Sequence, residues 1–175
     1  MKGQYFSFDA LVAAVIMILA FTSLLSYWYS TQYVIESHNS DLRADAMRVA
    51  DSLFSPGSPA NWETNLASVR QIGITNGFSN DLSVAKINRT ERFADQNAAS
   101  YLMFKNMLLV PGDANVAITI RQFDSTYAGP NCNAAYSACQ IGTLPPANAR
   151  EVAIVSRGAI LNGKPAQVRV YLWRQ

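Results

Sequence analysis

A long apolar run near the amino terminus constrains this chain more than any other feature. Residues 10–25 carry no charged side chain, and the uncharged stretch continues to residue 35. A helix that crosses a bilayer needs about 20 mostly apolar residues. Residues 6–29 meet that length, and Tyr27, Trp28 and Tyr29 form the aromatic cluster typical of a membrane–water interface. The sequence therefore predicts one membrane-spanning helix over residues 6–29.

The residues around this run predict its orientation and leave its fate open. Lys2 is a positive flank, so the amino-terminal end is expected in the cytoplasm and the rest of the chain outside. A cleaved secretory signal would end at small residues of the A-x-A type, whereas residues 22–28 read TSLLSYW. A secretory signal therefore fits poorly, and a plain uncleaved anchor is a second alternative.

A third interpretation comes from the residues in front of the run. Lys2-Gly3-Gln4 precedes it and Asp9 stands at its start, which resembles the class III signal peptide of archaeal type IV pilin-like proteins. The resemblance implies that a prepilin peptidase cuts after Gly3 or Gln4 and that the helix is retained. The family's frequent Gln-x-Ser-x-Glu pattern is altered here, because one extra residue precedes Ser7 and an aspartate replaces the glutamate.

Asp9 is a costly residue at the mouth of an apolar helix, and the resemblance implies a reason for it. In assembled pilins an acid at this place pairs with the new amino terminus of a neighbouring subunit. A buried carboxylate is tolerated when it is paired with a cation, and an acid in the first turn also suits the positive end of the helix dipole. The alternative is a hydrated carboxylate at the level of the lipid headgroups.

The helical pattern continues beyond the membrane segment. Residues 30–54 contain no proline or glycine, and apolar side chains recur there at helical spacing. This apolar face consists of Leu42, Ala46, Val49, Ala50 and Leu53. The stretch Ser55-Pro56-Gly57 then ends the pattern. We therefore expect a signal segment at 1–4, one helix at 5–55 whose first half crosses lipid or fills a filament core, and a head domain at 56–175.

The head domain is predicted to be a small α+β unit. Asn61-Trp62-Glu63 after the proline- and glycine-containing stretch is a second resemblance to archaeal pilin-like chains, and Trp62 is expected to pack against the head core. Helices are predicted at 83–88 and 93–109. Alternating residues at 116–121, 151–161 and 167–173 predict strands, the last two joined by the turn Asn162-Gly163. The fold class is thus a long helix packed by a small antiparallel sheet, as in type IV pilins.

The two cysteines lie in a long irregular stretch at 123–149. Cys132 and Cys139 are expected to form a disulfide, because an extracytoplasmic location favours oxidation. A metal site is the rival interpretation, but two thiols without a nearby histidine or further cysteine are poor zinc ligands. No metal or cofactor is therefore predicted. The length and irregularity of the stretch favour a variable or contacting surface.

The remaining motifs are weak or missing. Asn88-Arg89-Thr90 is an N-glycosylation candidate of low specificity. The sequence has no phosphate-binding glycine loop, HExxH or GxSxG motif, and its single histidine, His38, lies in the helical stalk. Scattered acids do not predict a catalytic pair. A net charge of +2 is not typical of a nucleic-acid binder. We expect neither enzymatic activity nor a nucleic-acid partner.

The sequence favours a structural function. The chain is expected to be a subunit of an archaeal type IV pilus-like surface filament that polymerises through its apolar helix. Its expected partners are other copies, membrane lipid before assembly, and the prepilin peptidase with the assembly machinery. Its expected location is the plasma membrane, single-pass with an extracytoplasmic head, and then the cell-surface filament. The alternative is a minor pseudopilin or a membrane-anchored surface-binding protein.

Overall fold

The computed structural model describes residues 3–77, 80–126, 132 and 137–175, without the side chains of residues 3–7 and 33–40. Its internal contacts divide the chain into two compact units, Met1–Ser40 and Asp41–Gln175. The first helix, α1, is Gly3–Leu53 and contributes to both units. Its last turns therefore belong with the head by contact, whereas the sequence analysis grouped them with the apolar segment.

The second half of α1 packs into the head as its spacing predicts. Leu42, Ala46, Val49, Ala50 and Leu53 are all buried and belong to one hydrophobic cluster with the sheet. The helix ends at Leu53, and Gly57 follows with a φ of +79°, a conformation that favours glycine. The predicted apolar face and the predicted end of the helix are thus confirmed.

A mixed sheet, five-stranded among the described residues, forms the other layer of the head. Its strands are β1 Asp81–Leu82, β2 Asn115–Gln122, β3 Ala138–Ile141, β4 Glu151–Leu161 and β5 Lys164–Arg174. Their spatial order is β1-β4-β5-β2-β3, and every neighbouring pair is antiparallel except β1 with β4. The α+β class is confirmed, while the short parallel strand β1 is an addition to the predicted antiparallel sheet.

The hairpin of β4 and β5 is the best-predicted part of the sheet. Asn162 and Gly163 have φ values of 54° and 75°, as a two-residue type I′ turn requires. The register places Val155 opposite Val170 and Leu161 opposite Lys164 without a bulge. Alternate residues of β5 then enter the core, namely Ala166, Val168, Val170 and Leu172.

Two helices cover part of the core, with boundaries that differ from the prediction. They are α2, Val84–Asp95, and α3, Ala98–Met107. The predicted helix at 93–109 is confirmed over Ala98–Met107, but its predicted start is wrong. Asn97 adopts an extended conformation and caps α3, its side chain accepting a hydrogen bond from the Ser100 N–H. An asparagine cap thus divides an apolar stripe that reads as continuous. Two short 3₁₀ helices, Trp62–Thr64 and Leu66–Ser68, lie between α1 and the sheet.

Gly73 provides a sharp test of the packing between the end of α1 and the chain that follows. A Cβ at Gly73 would overlap the carbonyl oxygen of Ser55 and the amide nitrogen of Gly57, which are backbone atoms that cannot rotate away. We expect Gly73→Ala to lower the unfolding free energy by about 3 kcal/mol or more. Chemical denaturation of the full chain in detergent, followed by tryptophan fluorescence, measures the change.

Gly112→Ala is the matched control, because a Cβ at Gly112 meets no atom within 4 Å. We expect its unfolding free energy to stay within about 0.5 kcal/mol of the parent. Equal stability of the two variants would show that the close approach around Gly73 does not exist.

Candidate functional site

The apolar half of α1 is exposed among the residues that the structure describes. Phe8–Gln32 has a mean hydropathy of 2.3 and none of it is buried, so one helix is long and apolar enough to cross a membrane. Its large exposed side chains include Phe8, Leu11, Ile16, Met17, Ile18, Leu19, Phe21 and Leu24. An exposed apolar surface of this size marks a contact with lipid or with other protein. The predicted 6–29 segment and this span largely coincide.

Three hydroxyl groups of this segment are bonded to the backbone of their own helix. The Thr22 hydroxyl donates to the carbonyl oxygens of Ile18 and Leu19, both at 3.0 Å. The Ser23 hydroxyl donates to the same Leu19 oxygen at 2.8 Å, and that of Thr31 to Tyr27 at 2.9 Å. Hydroxyls bonded to their own helix need no water. The segment can therefore enter an apolar medium without leaving these groups unpaired.

Three of the four residues predicted for processing and pairing, Gly3, Gln4 and Asp9, lie in the first turns of α1. Lys2 lies outside the described residues, while Gly3 and Gln4 begin the helix and their side chains are not described. The Asp9 side chain is exposed, and among the described residues no cation forms an ion pair with it. Pairing of Asp9 with a neighbouring amine needs a second chain, so this role stays a prediction.

Trp62 fastens the end of α1 to the head. Its ring is fully buried, and its Nε1 donates to the Gly73 carbonyl oxygen at 2.9 Å. Gly57 lies directly against the ring, where any Cβ would collide with it. The N–H of Ile74 donates to the carbonyl of Leu53 at 2.9 Å, which satisfies one of the last acceptors of α1. The predicted packing of Trp62 against the core is confirmed.

Lys86 is a buried cation in the junction that follows α1, which comprises residues 53–57, Trp62 and residues 73–75. Its Nζ donates to the carbonyl oxygens of Pro56 at 2.8 Å and Thr75 at 2.9 Å, so it joins two segments that flank Trp62. Burial lowers the pKa of Lys86 below its ordinary 10.5, and the charge of Glu63 opposes the shift. Sequence analysis missed this residue because a lysine in an amphipathic helix resembles a solvated one.

Two carboxylates of α2 hold the cysteine-containing stretch. Cys132 and Cys139 form a disulfide. The Glu91 Oε1 accepts the Cys132 N–H at 2.9 Å, and the Asp95 Oδ1, one helical turn further on, accepts the Gly142 N–H at 3.2 Å. Burial raises the pKa of Asp95, and the bond from Gly142 opposes that shift. Cys132 at one end of the disulfide-bonded segment and Gly142, just after β3, are therefore attached to one helix.

The candidate ligands for a metal ion are the two cysteines and one of these carboxylates. Glu91, Cys132 and Cys139 place one potential ligand atom each within 4.8 Å of the others. Sulfur atoms joined in a disulfide are not thiolates, which are the form of cysteine that binds metal. In the oxidised chain this group retains one carboxylate, and that carboxylate accepts a backbone hydrogen bond.

The candidate glycosylation residue lies within a helix. Asn88 is half-buried in α2, and Thr90 of the same triplet is fully buried with its hydroxyl donating to the Lys86 carbonyl at 2.8 Å. Acceptor triplets are normally surface loops. Attachment of a glycan at Asn88 would therefore have to precede the folding of α2.

The solvent side of the sheet carries a polar groove of about 440 Å³. Strands β2, β3 and β5 supply its walls, with the exposed guanidinium groups of Arg121 and Arg169 and the exposed ring of Phe123. Its described lining contains no carboxylate. The groove therefore suits a polar or anionic group.

Lys86 should carry much of the stability of the junction. We expect Lys86→Met to lower the unfolding free energy by about 1–3 kcal/mol, because the Pro56 and Thr75 carbonyls lose their donor. The lowered pKa also means that the unfolded state binds more protons between the folded-state pKa and 10.5. The stability of the parent should therefore rise with pH across that window, and more than the stability of Lys86→Met.

Lys105→Met is the matched control for this experiment. Lys105 is also buried with a lowered pKa, but its Nζ makes one longer bond, to the Gly112 carbonyl at 3.3 Å. Denaturant titrations in detergent from pH 7 upward compare the three proteins. A loss at Lys105 equal to that at Lys86 would contradict the assigned role.

The disulfide can be tested by mass and by stability. Without reductant, the intact protein should be lighter by two hydrogen atoms than the reduced protein, because Cys132 and Cys139 are joined. Closing so short a loop should contribute about 2–3 kcal/mol to the unfolding free energy. Quantitative alkylation of both thiols in the unreduced native protein would sink this assignment.

Comparison with protein-family models, with curated proteins and with solved structures finds no match to this chain. The coarse layout of an apolar amino-terminal helix followed by a small sheet domain is present.

Proposed function

We propose that this chain is a structural subunit of an archaeal type IV pilus-like surface filament. One observation carries the proposal: a single helix has an apolar segment, Phe8–Gln32, that no described residue buries, and a later segment buried in the head. A chain with these two parts can present its head to water while its apolar segment exchanges lipid for other copies.

Close packing of the apolar segments of neighbouring copies drives the proposed assembly. Lipid covers Phe8–Gln32 before assembly, and the same segments of neighbouring chains cover it in the filament core. Helices in apolar surroundings associate through close packing, which small residues permit. Ala10, Ala13, Ala14 and Ala20 fall within an arc of about 120° of α1 at 3.6 residues per turn. This stripe supplies a surface for close helix approach.

Asp9 orders the assembly in this scheme. Cleavage after Gly3 or Gln4 by a prepilin peptidase creates a new amino terminus a few residues from Asp9. The amine of one subunit then neutralises the carboxylate of the next, and a misaligned chain leaves both charges unpaired in apolar surroundings.

Two features support the proposed orientation in the membrane. The positive charge of Lys2 supports a cytoplasmic amino-terminal end. The disulfide of Cys132 with Cys139 supports an extracytoplasmic, oxidising location for the head.

The alternative is a minor pseudopilin or a membrane-anchored surface-binding protein. The groove lined by Arg121, Arg169 and Phe123 favours this second function, because it offers a site on the head that assembly does not require. Mass spectrometry of purified surface filaments separates the two. A chain that occurs only in membranes would support the alternative.

The amino-terminal residue of the native protein tests the processing step. We expect Gln4 or Tyr5 as the first residue, and Met1 would indicate a plain anchor.

Substitution of Asp9 tests the proposed pairing. We expect Asp9→Asn to reduce incorporation into filaments by at least about ten-fold, because loss of one partner of a buried ion pair costs several kcal/mol. Asp9→Glu should retain most of the incorporation, since it keeps the charge.

Asp41→Asn is the matched control, because it makes the same change at an exposed acid of the head unit. Incorporation of each variant is measured by quantitative mass spectrometry of sheared filaments and of membranes from the same cells. Equal incorporation of Asp9→Asn and Asp41→Asn would overturn the proposed pairing.

A further inference from the structure

Strand β4 has a long edge that the described residues of the head leave open. The two-residue strand β1 covers β4 only at Ile160 and Leu161, at the carboxyl end of β4. The rest of β4, from Glu151 to Ala159, pairs with β5 on one side and with no described strand on the other. An edge of about nine residues without cover is long for a sheet of this size.

The backbone groups on this edge make no hydrogen bonds within the described chain. The N–H of Ile160 donates to the Asn80 carbonyl at 2.8 Å, which shows that even-numbered residues of β4 turn their backbone groups toward the edge. The even-numbered residues before it are Val152, Ile154, Ser156 and Gly158. No backbone bond from their N–H and C=O groups to any described residue is found. Such a row of donors and acceptors is a template for another strand.

The usual devices that protect an edge are nearly absent here. β4 contains no proline or lysine, and its register with β5 is continuous, so no bulge bends the edge away. Val152 and Ile154 are 45% and 56% exposed on the solvent face. The charged residues of β4, Glu151 and Arg157, both lie on the other face of the strand.

We propose that this edge pairs antiparallel with the same edge of a second copy, about a two-fold axis at Ile154. Two such edges bond only where even-numbered residues face even-numbered residues. The register centred on Ile154 satisfies this rule and also places Glu151 opposite Arg157 twice, once on each side of the axis. Registers centred on Ala153 or Val155 place these charges opposite apolar residues instead.

The charges around the proposed contact form a continuous alternating series. Arg157 is bound to Asp51 at 2.6 Å, and Glu151 is bound to Arg174 at 3.1 Å. Pairing places the Arg157 of one copy beside the Glu151 of the other, so the order becomes acid, base, acid, base. Opposite charges across a strand pair are stabilising. This complementarity of the edge with itself identifies a second copy as the occupant.

This contact is distinct from polymerisation through α1. A two-fold contact uses the same patch on both subunits and closes after two copies, whereas a filament grows through a head-to-tail contact. The pairing therefore does not depend on the proposed filament, and either proposal can fail without the other.

Cysteine cross-linking of the full chain in detergent tests the pairing. Ile154→Cys places the two new thiols opposite each other across the axis, with Cα atoms about 5.5 Å apart, which a disulfide can span. Mild oxidation should give a dimer on non-reducing gels, and its digest should contain a peptide that joins the introduced cysteines of two copies. Ile160→Cys is the matched control, because Ile160 is 48% exposed on the same strand but its edge is occupied by Asn80.

We expect Ile154→Cys to cross-link at least about ten times faster than Ile160→Cys, because only position 154 lies on the axis. Mixing Val152→Cys with Ser156→Cys should give a mixed dimer, while each variant alone should not. Ile154→Lys, which places like charges opposite each other, should abolish the mixed cross-link when it is added to both. Equal rates at positions 154 and 160, or self-cross-linking at 152 as fast as the mixed reaction, would overturn the proposal.

Discussion

The burial of residues 41–53 of α1 in the head core is the interaction on which the rest of the head depends. The apolar face of these turns lies in the same cluster as the inner face of the sheet. Backbone bonds and buried side chains at Gly73, Trp62 and Lys86 then fix the chain where the helix ends. The apolar face of this half of α1 is thus covered within the head, whereas no described residue buries Phe8–Gln32.

The perturbed titratable groups of the head have structural partners. Lys86 and Lys105 are buried ammonium groups that donate to backbone carbonyls, and Asp95 accepts a backbone N–H from Gly142. The Tyr101 hydroxyl, whose pKa burial raises, both donates to and accepts from the backbone of Val116 at 3.0 Å. Perturbed groups often mark active sites. Here each of these groups fastens a helix to a neighbouring segment, and the absence of enzymatic activity remains a prediction.

Local patterns in the sequence predicted most of this fold, whereas contacts between residues far apart in the sequence were missed. The helical spacing of Leu42 to Leu53 and the turn Asn162-Gly163 involve residues close in sequence, so their patterns are visible without the fold. Strands β1 and β3 are two and four residues long and carry no readable period. The partners of Lys86 and Glu91 lie far along the chain, so no spacing could reveal them. The apolar segment was predictable, whereas the open edge of β4 required the strand order.

The apolar segment and the edge of β4, which the described residues leave uncovered, differ in the kind of partner they can take. The apolar surface of Phe8–Gln32 gains from any close apolar neighbour, because hydrophobic burial and dispersion are non-directional. The edge of β4 gains only from an extended strand in one register, since its backbone groups are hydrogen-bond donors and acceptors at fixed spacing. In the proposed scheme, α1 therefore supplies the strength of self-association and β4 supplies selectivity for the same chain. A related subunit with a similar apolar helix would share the first contact, but a change at position 151 or 157 would remove it from the second.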